Sequence, residues 1–262
     1  MRRKDLFQFK QFTIHQGNAG MKVGTDSDLL GALAAGGNRV LDIGTGTGVL
    51  SLLMAQRFPE ARIDAVEIDD DAVKDASLNF AESKFADRIT LHHKSFQEFV
   101  GSFRDCPENL ERPETPVNPG HQENTASSPF DCIICNPPYF HKSMECPDNR
   151  RLRARHTSSL PFEVLVGGAY ELLSDGGVFS VCLPPEVYSI FCEECLKQGF
   201  SLQDLYCIRS IPSQPVKRYV LVHKKGKVEE VRRYEFCMRN EDRTVSEWYK
   251  ETMRDYLLDN SK

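Results

Sequence analysis

The tetrapeptide Asn136-Pro137-Pro138-Tyr139 follows directly on an apolar run, Phe130-Asp131-Cys132-Ile133-Ile134-Cys135, that has the character of a buried strand. Two successive prolines fix φ and remove two N–H donors, so the chain leaves the strand as a stiff extended corner that offers backbone carbonyls. Asn136 adds a side-chain carbonyl, and Tyr139 adds a flat aromatic face. Acceptors beside a stacking surface suit a planar exocyclic amine, which is a poor nucleophile because its lone pair is delocalised into the ring. Holding both of its hydrogens rehybridises the nitrogen and aims a developing lone pair at an electrophile. Catalysis of this kind is positioning and electrostatics, with Asn136, Pro137, Pro138 and Tyr139 as the candidate catalytic residues.

A second constellation precedes it. Val40-Leu41-Asp42-Ile43 is followed by Gly44-Thr45-Gly46-Thr47-Gly48 and then an apolar helical pattern from Val49. A strand, a glycine turn and a helix N-terminus place backbone N–H groups at the carboxyl edge of a sheet, where ligands of open α/β folds bind. The glycines are spaced G-x-G-x-G and not G-x-G-x-x-G, so the dinucleotide fingerprint is imperfect. Glu67 closes the next strand, nineteen residues beyond Gly48, where a carboxylate accepts both hydroxyl protons of a ribose. This geometry fits any adenosine-containing cofactor; the bland reading is a tight strand-helix turn beside an exposed strand-end acid.

The elements that must position these groups follow a rhythm of short β-branched runs and helical patterns, the mark of a parallel sheet with helices packed on its faces. Strands are expected at residues 40–43, 62–68, 89–93, 130–135 and 178–183, with helices from Val49, from Asp69 to about Lys84, over 161–173 and over 184–197. Asp175-Gly176-Gly177 is expected to stop the helix before the 178–183 strand. Strands at 202–211 and 219–223 are joined by Pro212-Ser213-Gln214-Pro215, too short for a crossover, so they are expected to be antiparallel. The tail carries Ser246-Glu247-Trp248-Tyr249 into a helix to about Leu258. Residues 101–129 break the rhythm: five prolines are spread among polar residues, and an insertion, mobile and tolerated at the surface, is expected there.

With 262 residues, a 40% hydrophobic and 27% charged composition and no apolar run near the length of a bilayer helix, the chain reads as one soluble domain. The start, Met1-Arg2-Arg3-Lys4-Asp5-Leu6, lacks the pattern of a secretory signal, so the cytoplasm is the expected address. Nine cysteines in such a chain are read as thiols. Cys132 and Cys135 have metal-like spacing but lie on a strand, where positions three apart face opposite sides. Cys192 and Cys195 lie on a helix with no partner pair; no metal is expected. The net charge of −5 excludes a globally basic coat for nucleic acid, yet basic residues cluster. One cluster, Arg150, Arg151, Arg153, Arg155 and His156, lies just beyond the proline corner. Lys217, Arg218, Lys224 and Lys225 form another, and each cluster alone is also an ordinary solvated surface.

Taken together, residues 40–48, Val66-Glu67-Ile68-Asp69 and Asn136-Pro137-Pro138-Tyr139, in this order and spacing, resemble S-adenosylmethionine-dependent methyltransferases that act on amino or amide nitrogen. The run Phe12-Thr13-Ile14-His15-Gln16 with Met21-Lys22-Val23-Gly24-Thr25-Asp26-Ser27-Asp28-Leu29-Leu30 narrows the resemblance to the bacterial tRNA(Val) adenine-37 N6-methyltransferases. The resemblance implies a Rossmann-like class I α/β fold: a mostly parallel seven-stranded sheet with an antiparallel edge strand and helices on both faces. It implies one methyltransferase domain over 1–262, with residues 1–37 closing over the cofactor. Gly44, Gly46 and Gly48 would wrap the methionine portion of S-adenosylmethionine, with Asp42 close by. Glu67, with Ile68 beside it, would bind the ribose; Lys22, Thr25 and Asp26 would close over the methionine end. Ser95-Phe96 occupies the turn where related enzymes often carry an acid for the cofactor's adenine, and Ser95 departs from that pattern. Asn136, Pro137 and Tyr139 would hold the target amine and base, with no metal and no covalent intermediate required. Arg153, Arg155, His156, Lys217 and Arg218 would meet the anticodon arm of tRNA. A monomer is favoured.

Within the same fold, a glutamine-amide methyltransferase of release factors is the close competitor. A nicotinamide-dependent oxidoreductase lacks its glycine fingerprint here and leaves the proline corner without a use; a non-catalytic RNA-binding module leaves the same corner idle.

Overall fold

The computed structural model describes residues 5–105, 129–137 and 160–258. A short antiparallel hairpin, β1 (Leu6–Gln8) and β2 (Thr13–His15), precedes helix α1 (Thr25–Leu33). Then come β3 (Arg39–Ile43), α2 (Val49–Arg57), β4 (Arg62–Glu67), α3 (Asp70–Ala81), β5 (Ile89–His93), α4 (Phe96–Arg104) and β6 (Phe130–Cys135). The second half adds α5 (Phe162–Leu172), β7 (Leu173–Leu183), α6 (Pro185–Gln198), β8 (Phe200–Arg209), β9 (Val216–Lys225), β10 (Arg232–Cys237) and α7 (Glu247–Met253). The expected insertion falls largely on 106–128, outside the described residues.

The main sheet has the order β10-β8-β9-β7-β6-β3-β4-β5, with every neighbouring pair parallel except those made by β9. The Rossmann-like class is as expected, but among the described residues the sheet has eight strands instead of seven. The antiparallel strand is interior, because β10 continues past β8 in parallel and becomes the edge. Its sequence, Arg-Arg-Tyr-Glu-Phe-Cys, is half charged and lacks the apolar run of a central strand, which is why periodicity passed over it. The Asp175-Gly176-Gly177 stop lies inside β7, where Gly176 takes φ +81° and the register to β6 shifts. The tail helix ends at Met253, short of Leu258.

Alternation along each central strand feeds two cores. Cys132 and Ile134 of β6 join Val40, Leu52 and Ile63 on one face; Ile133 and Cys135 join Leu41, Val66 and Phe179 on the other. The two cysteines of metal-like spacing therefore part to opposite sides of the sheet. Burial raises the Cys132 thiol to about 12 and pushes that of Cys135 well above its ordinary value, so both are packed as protonated thiols.

Local chemistry sets the helix starts at the carboxyl edge. The Asp69 side chain caps α3, accepting from Asp71 N and Ala72 N at 3.1 and 2.8 Å. Ser95 caps α4 in a reciprocal box with Glu98. The segment after β2 is clasped onto α3: Asp75 accepts from Asn18 N, Asn18 Nδ2 and Ala19 N, and Asn79 bonds both His15 N and His15 O. Asn79 also donates to Thr47 O, which ties this clasp to the glycine turn. No helix among the described residues is long and apolar enough to cross a membrane.

Candidate active site

The turn between β3 and α2 is built by positive φ at Gly44, Gly46 and Gly48, of 69°, 59° and 82°. At Gly46 a Cβ would meet nothing within 4 Å, because that side faces a cavity; at Gly48 it would lie 2.4 Å from the Phe80 ring. One glycine therefore keeps the backbone open to a ligand and the other admits close packing of α3. Gly44 N and Thr45 N donate to Val66 O at 2.9 and 3.1 Å, fastening the turn to the end of β4.

Asp42 is fully buried behind this turn and does not line the cavity. Its Oδ2 accepts from Thr45 Oγ1 at 2.6 Å and from Ser51 Oγ at 2.7 Å, while Oδ1 has no hydrogen-bond partner. Burial raises its carboxyl to about 6 against the opposing pull of the two hydroxyls. Asp42 thus braces the turn.

Two adjoining cavities of about 370 and 580 Å³ open on either side of the turn. The first is walled by Glu67, Ile68, Ser95 and Phe96, with Ala19, Gly20 and Met21 at one side. The second is walled by Lys22, Thr25, Asp26, Ser27 and Arg218. Gly44, Gly46, Asn136 and Pro137 line both, so the start of the proline corner stands at the seam. Pro138, Tyr139, Arg153, Arg155 and His156 lie outside the described residues.

Glu67 is 8% exposed. Its Oε2 accepts from Gly46 N at 2.8 Å, and its Oε1 accepts from Ile68 N and Asp69 N at 2.8 and 2.9 Å. The acid expected to read a ribose also holds the glycine turn to the start of α3. A carboxylate has about four lone-pair directions; three such bonds leave acceptor capacity that a hydroxyl can use. Ser95 does not present a hydroxyl in place of the absent acid, for its Oγ donates to Glu98 Oε2 at 2.7 Å and accepts from Glu98 N at 3.2 Å. The Ser95 bonds hold the Glu98 carboxyl below its usual range.

Asn136 follows the last residue of β6, and its Nδ2 donates to Ser27 Oγ at 3.1 Å across the seam. Ser27 belongs to the N-terminal run but was not singled out by residue type. Arg218 reaches the same wall, with Nε 2.5 Å from Asp26 Oδ1. Lys217 does not join it: it is the extra residue where the β8–β9 register shifts, it is exposed, and it lines neither cavity. Lys224 and Lys225 are farther off, at the other end of β9, where Lys225 Nζ donates to Tyr170 O and Leu173 O. Of the basic residues expected on β9, Arg218 alone lines the cavity, while Arg153, Arg155 and His156 lie outside the described residues.

Asp28, in the first turn of α1, is 6% exposed, with Oδ1 unpartnered. Burial, then the neighbouring Asp26 charge, raises its carboxyl to about 7 from an ordinary 3.8. Between these values the folded state binds the extra proton, so this group's stabilising contribution, full below 3.8, is lost as pH rises toward 7. Asp28→Asn is expected to change stability little at pH 4 and to raise it by up to about 3 kcal/mol at pH 8. Urea unfolding at both pH values checks this, and equal effects at the two would contradict it.

The methyltransferase-domain family model matches residues 35–234 of the chain. Among curated proteins, the tRNA1(Val) (adenine(37)-N6)-methyltransferase of Bacteroides thetaiotaomicron is 36% identical, over 97% of this chain and 97% of its own length. Proteins of the same name from Phocaeicola vulgatus and Vibrio campbellii are 40% and 38% identical, covering 83% and 81% of this chain and 83% and 79% of theirs. A solved structure from Agrobacterium tumefaciens, described as a predicted O-methyltransferase, superposes with a TM-score of 0.60 at 18% identity, over 88% of this chain and 96% of that one, and shares the fold. The glycine turn, the strand-end acid and the proline corner at one sheet edge, in a chain this similar to those relatives, place it in the tRNA1(Val) (adenine(37)-N6)-methyltransferase family, within the methyltransferase-domain proteins.

Proposed function

We propose that the chain transfers a methyl group from S-adenosylmethionine to the exocyclic N6 amine of adenine 37 in tRNA(Val), in the cytoplasm, and that it meets the tRNA at the anticodon arm. The observation that carries this reading is Asn136 at the seam of two cavities, its amide nitrogen engaged by Ser27. The residues present fit the cofactor. Gly44 and Gly46 leave open the space a side chain would fill, and Glu67 puts an acceptor on the wall of the first cavity. When bound, S-adenosylmethionine supplies an electrophilic methyl group on a sulfonium.

The work of the chain is to bind and orient. Gly44 and Gly46 line both cavities, so their turn would hold the methionine portion, while Glu67 and Ile68 would hold the ribose. Lys22, Thr25 and Asp26 close the methionine end. On the acceptor side, the Asn136 carbonyl oxygen takes an N–H of the target amine. That hydrogen bond strengthens as positive charge develops on nitrogen, so it acts chiefly in the transition state. Pro137 stiffens the corner on which Asn136 sits, and Tyr139, which with Pro138 lies outside the described residues, is assigned stacking on the target base.

Incubation with labelled S-adenosylmethionine and either total tRNA or release factor tests the assignment. Label is expected in tRNA and, after digestion, in N6-methyladenosine of tRNA(Val) at position 37. Label in the glutamine side chain of release factor, with unlabelled tRNA, would overturn the substrate.

A further inference from the structure

The first turn of α1 is pinned from several sides. Asp26 pairs with Arg218 of β9, whose side chain is 14% exposed. Ser27 Oγ accepts from Asn136 Nδ2, from a residue 109 positions away. At the far end of the helix, Arg57 Nη1 donates to Gly31 O and Ala34 O at 3.3 and 2.7 Å. Gly31 packs so closely on α2 that a Cβ there would lie 2.6 Å from Leu53 Cδ1. The chain just beyond is held by Ser180 Oγ, which accepts from Ala35 N, and by Cys132 Sγ, which donates to Ala35 O. With both ends of α1 tied to the sheet and to α2, Ser27 stands at a fixed place opposite the proline corner.

A serine hydroxyl both donates and accepts, so it can bond either end of a carboxamide and does not by itself choose which. A hydroxyl at a fixed place instead anchors the inner end of the side chain and so sets where its outer, amine-facing end stands. We propose that Ser27 is a positioning residue that anchors the Asn136 carboxamide at the seam, within reach of the target amine, and that the Asp26–Arg218 pair keeps Ser27 in place. The inference rests on the methyl-transfer reading above.

Single-turnover methylation of tRNA(Val) at saturating S-adenosylmethionine tests it, with thermal melting of each variant alongside. Ser27→Ala is expected to slow the chemical step about tenfold, the scale of one lost hydrogen bond, with KM for tRNA and the cofactor dissociation constant unchanged. Ser27→Thr, which keeps the oxygen, should restore the rate to within about twofold, a range well inside the loss of one hydrogen bond. In an Asn136→Ala background, Ser27→Ala should add no further loss, since nothing is left to anchor. Arg218→Gln should slow the same step and combine with Ser27→Ala less than additively. A rise in tRNA KM alone would put Arg218 on the RNA and overturn its part in the device. A wild-type rate in Ser27→Ala, or full additivity with Asn136→Ala, would overturn the positioning role. Wild-type protein that leaves tRNA(Val) unmethylated would instead remove the underlying reading, so the two failures are distinguishable.

Discussion

Asn136→Ala is expected to lower the single-turnover rate of methyl transfer by two or more decades while S-adenosylmethionine binds with near wild-type affinity. The truncation removes the acceptor that meets charge as it develops on the amine. A preorganised hydrogen-bonding group of this kind is worth about 10²–10³ in rate in other enzymes. The residue is half-buried, and its truncation frees Ser27 Oγ of its amide donor. The fold should therefore survive, with a melting curve close to wild type. Retention of most of the rate would make the corner structural and end the amine-positioning mechanism.

Glu67→Ala carries the second large effect, and it reaches beyond the ligand. Loss of the charged acceptor left for a ribose hydroxyl should weaken S-adenosylmethionine binding by about 1.5–3 kcal/mol, roughly a factor of 10 to 150. The same change strips Gly46 N, Ile68 N and Asp69 N of their acceptor, so the glycine turn loosens and the melting temperature should fall as well. Glu67→Gln separates the two roles, because its one carbonyl oxygen can retain part of the brace without the charge. Calorimetric titration with S-adenosylmethionine, read beside thermal melting, decides the matter. Wild-type affinity in Glu67→Ala, or tighter binding of NADH than of the methyl donor, would sink the cofactor assignment.

The features legible in the linear chain are those whose physics is local. A proline fixes its own φ and removes its own N–H, so the corner at Asn136-Pro137 could be placed without knowing its neighbours. Glycines that take positive φ announce a turn where they stand, and Gly44, Gly46 and Gly48 all do so. The central strands at 39–43 and 130–135 are largely buried and so carry apolar runs, and period two already sent Cys132 and Cys135 to opposite sides.

What only the tertiary structure decided depends on pairings between distant residues. β10 is a strand because β8 offers it a parallel edge, not because Arg232–Cys237 has the apolar run of a central strand. Lys217 and Arg218 look alike in a charge count, yet of the two only Arg218 reaches the cavity wall, where it meets the Asp26 carboxylate. Glu67 was readable as a ligand for a ribose, but its hold on three backbone donors appears only when the glycine turn folds back over the end of β4. Ser27 carries no signal of its own; it acquires a role when α1, held at both ends, sets it beside Asn136. Residue type and spacing determine which groups can do chemistry, while their orientation is set by long-range contacts whose partners no local pattern encodes.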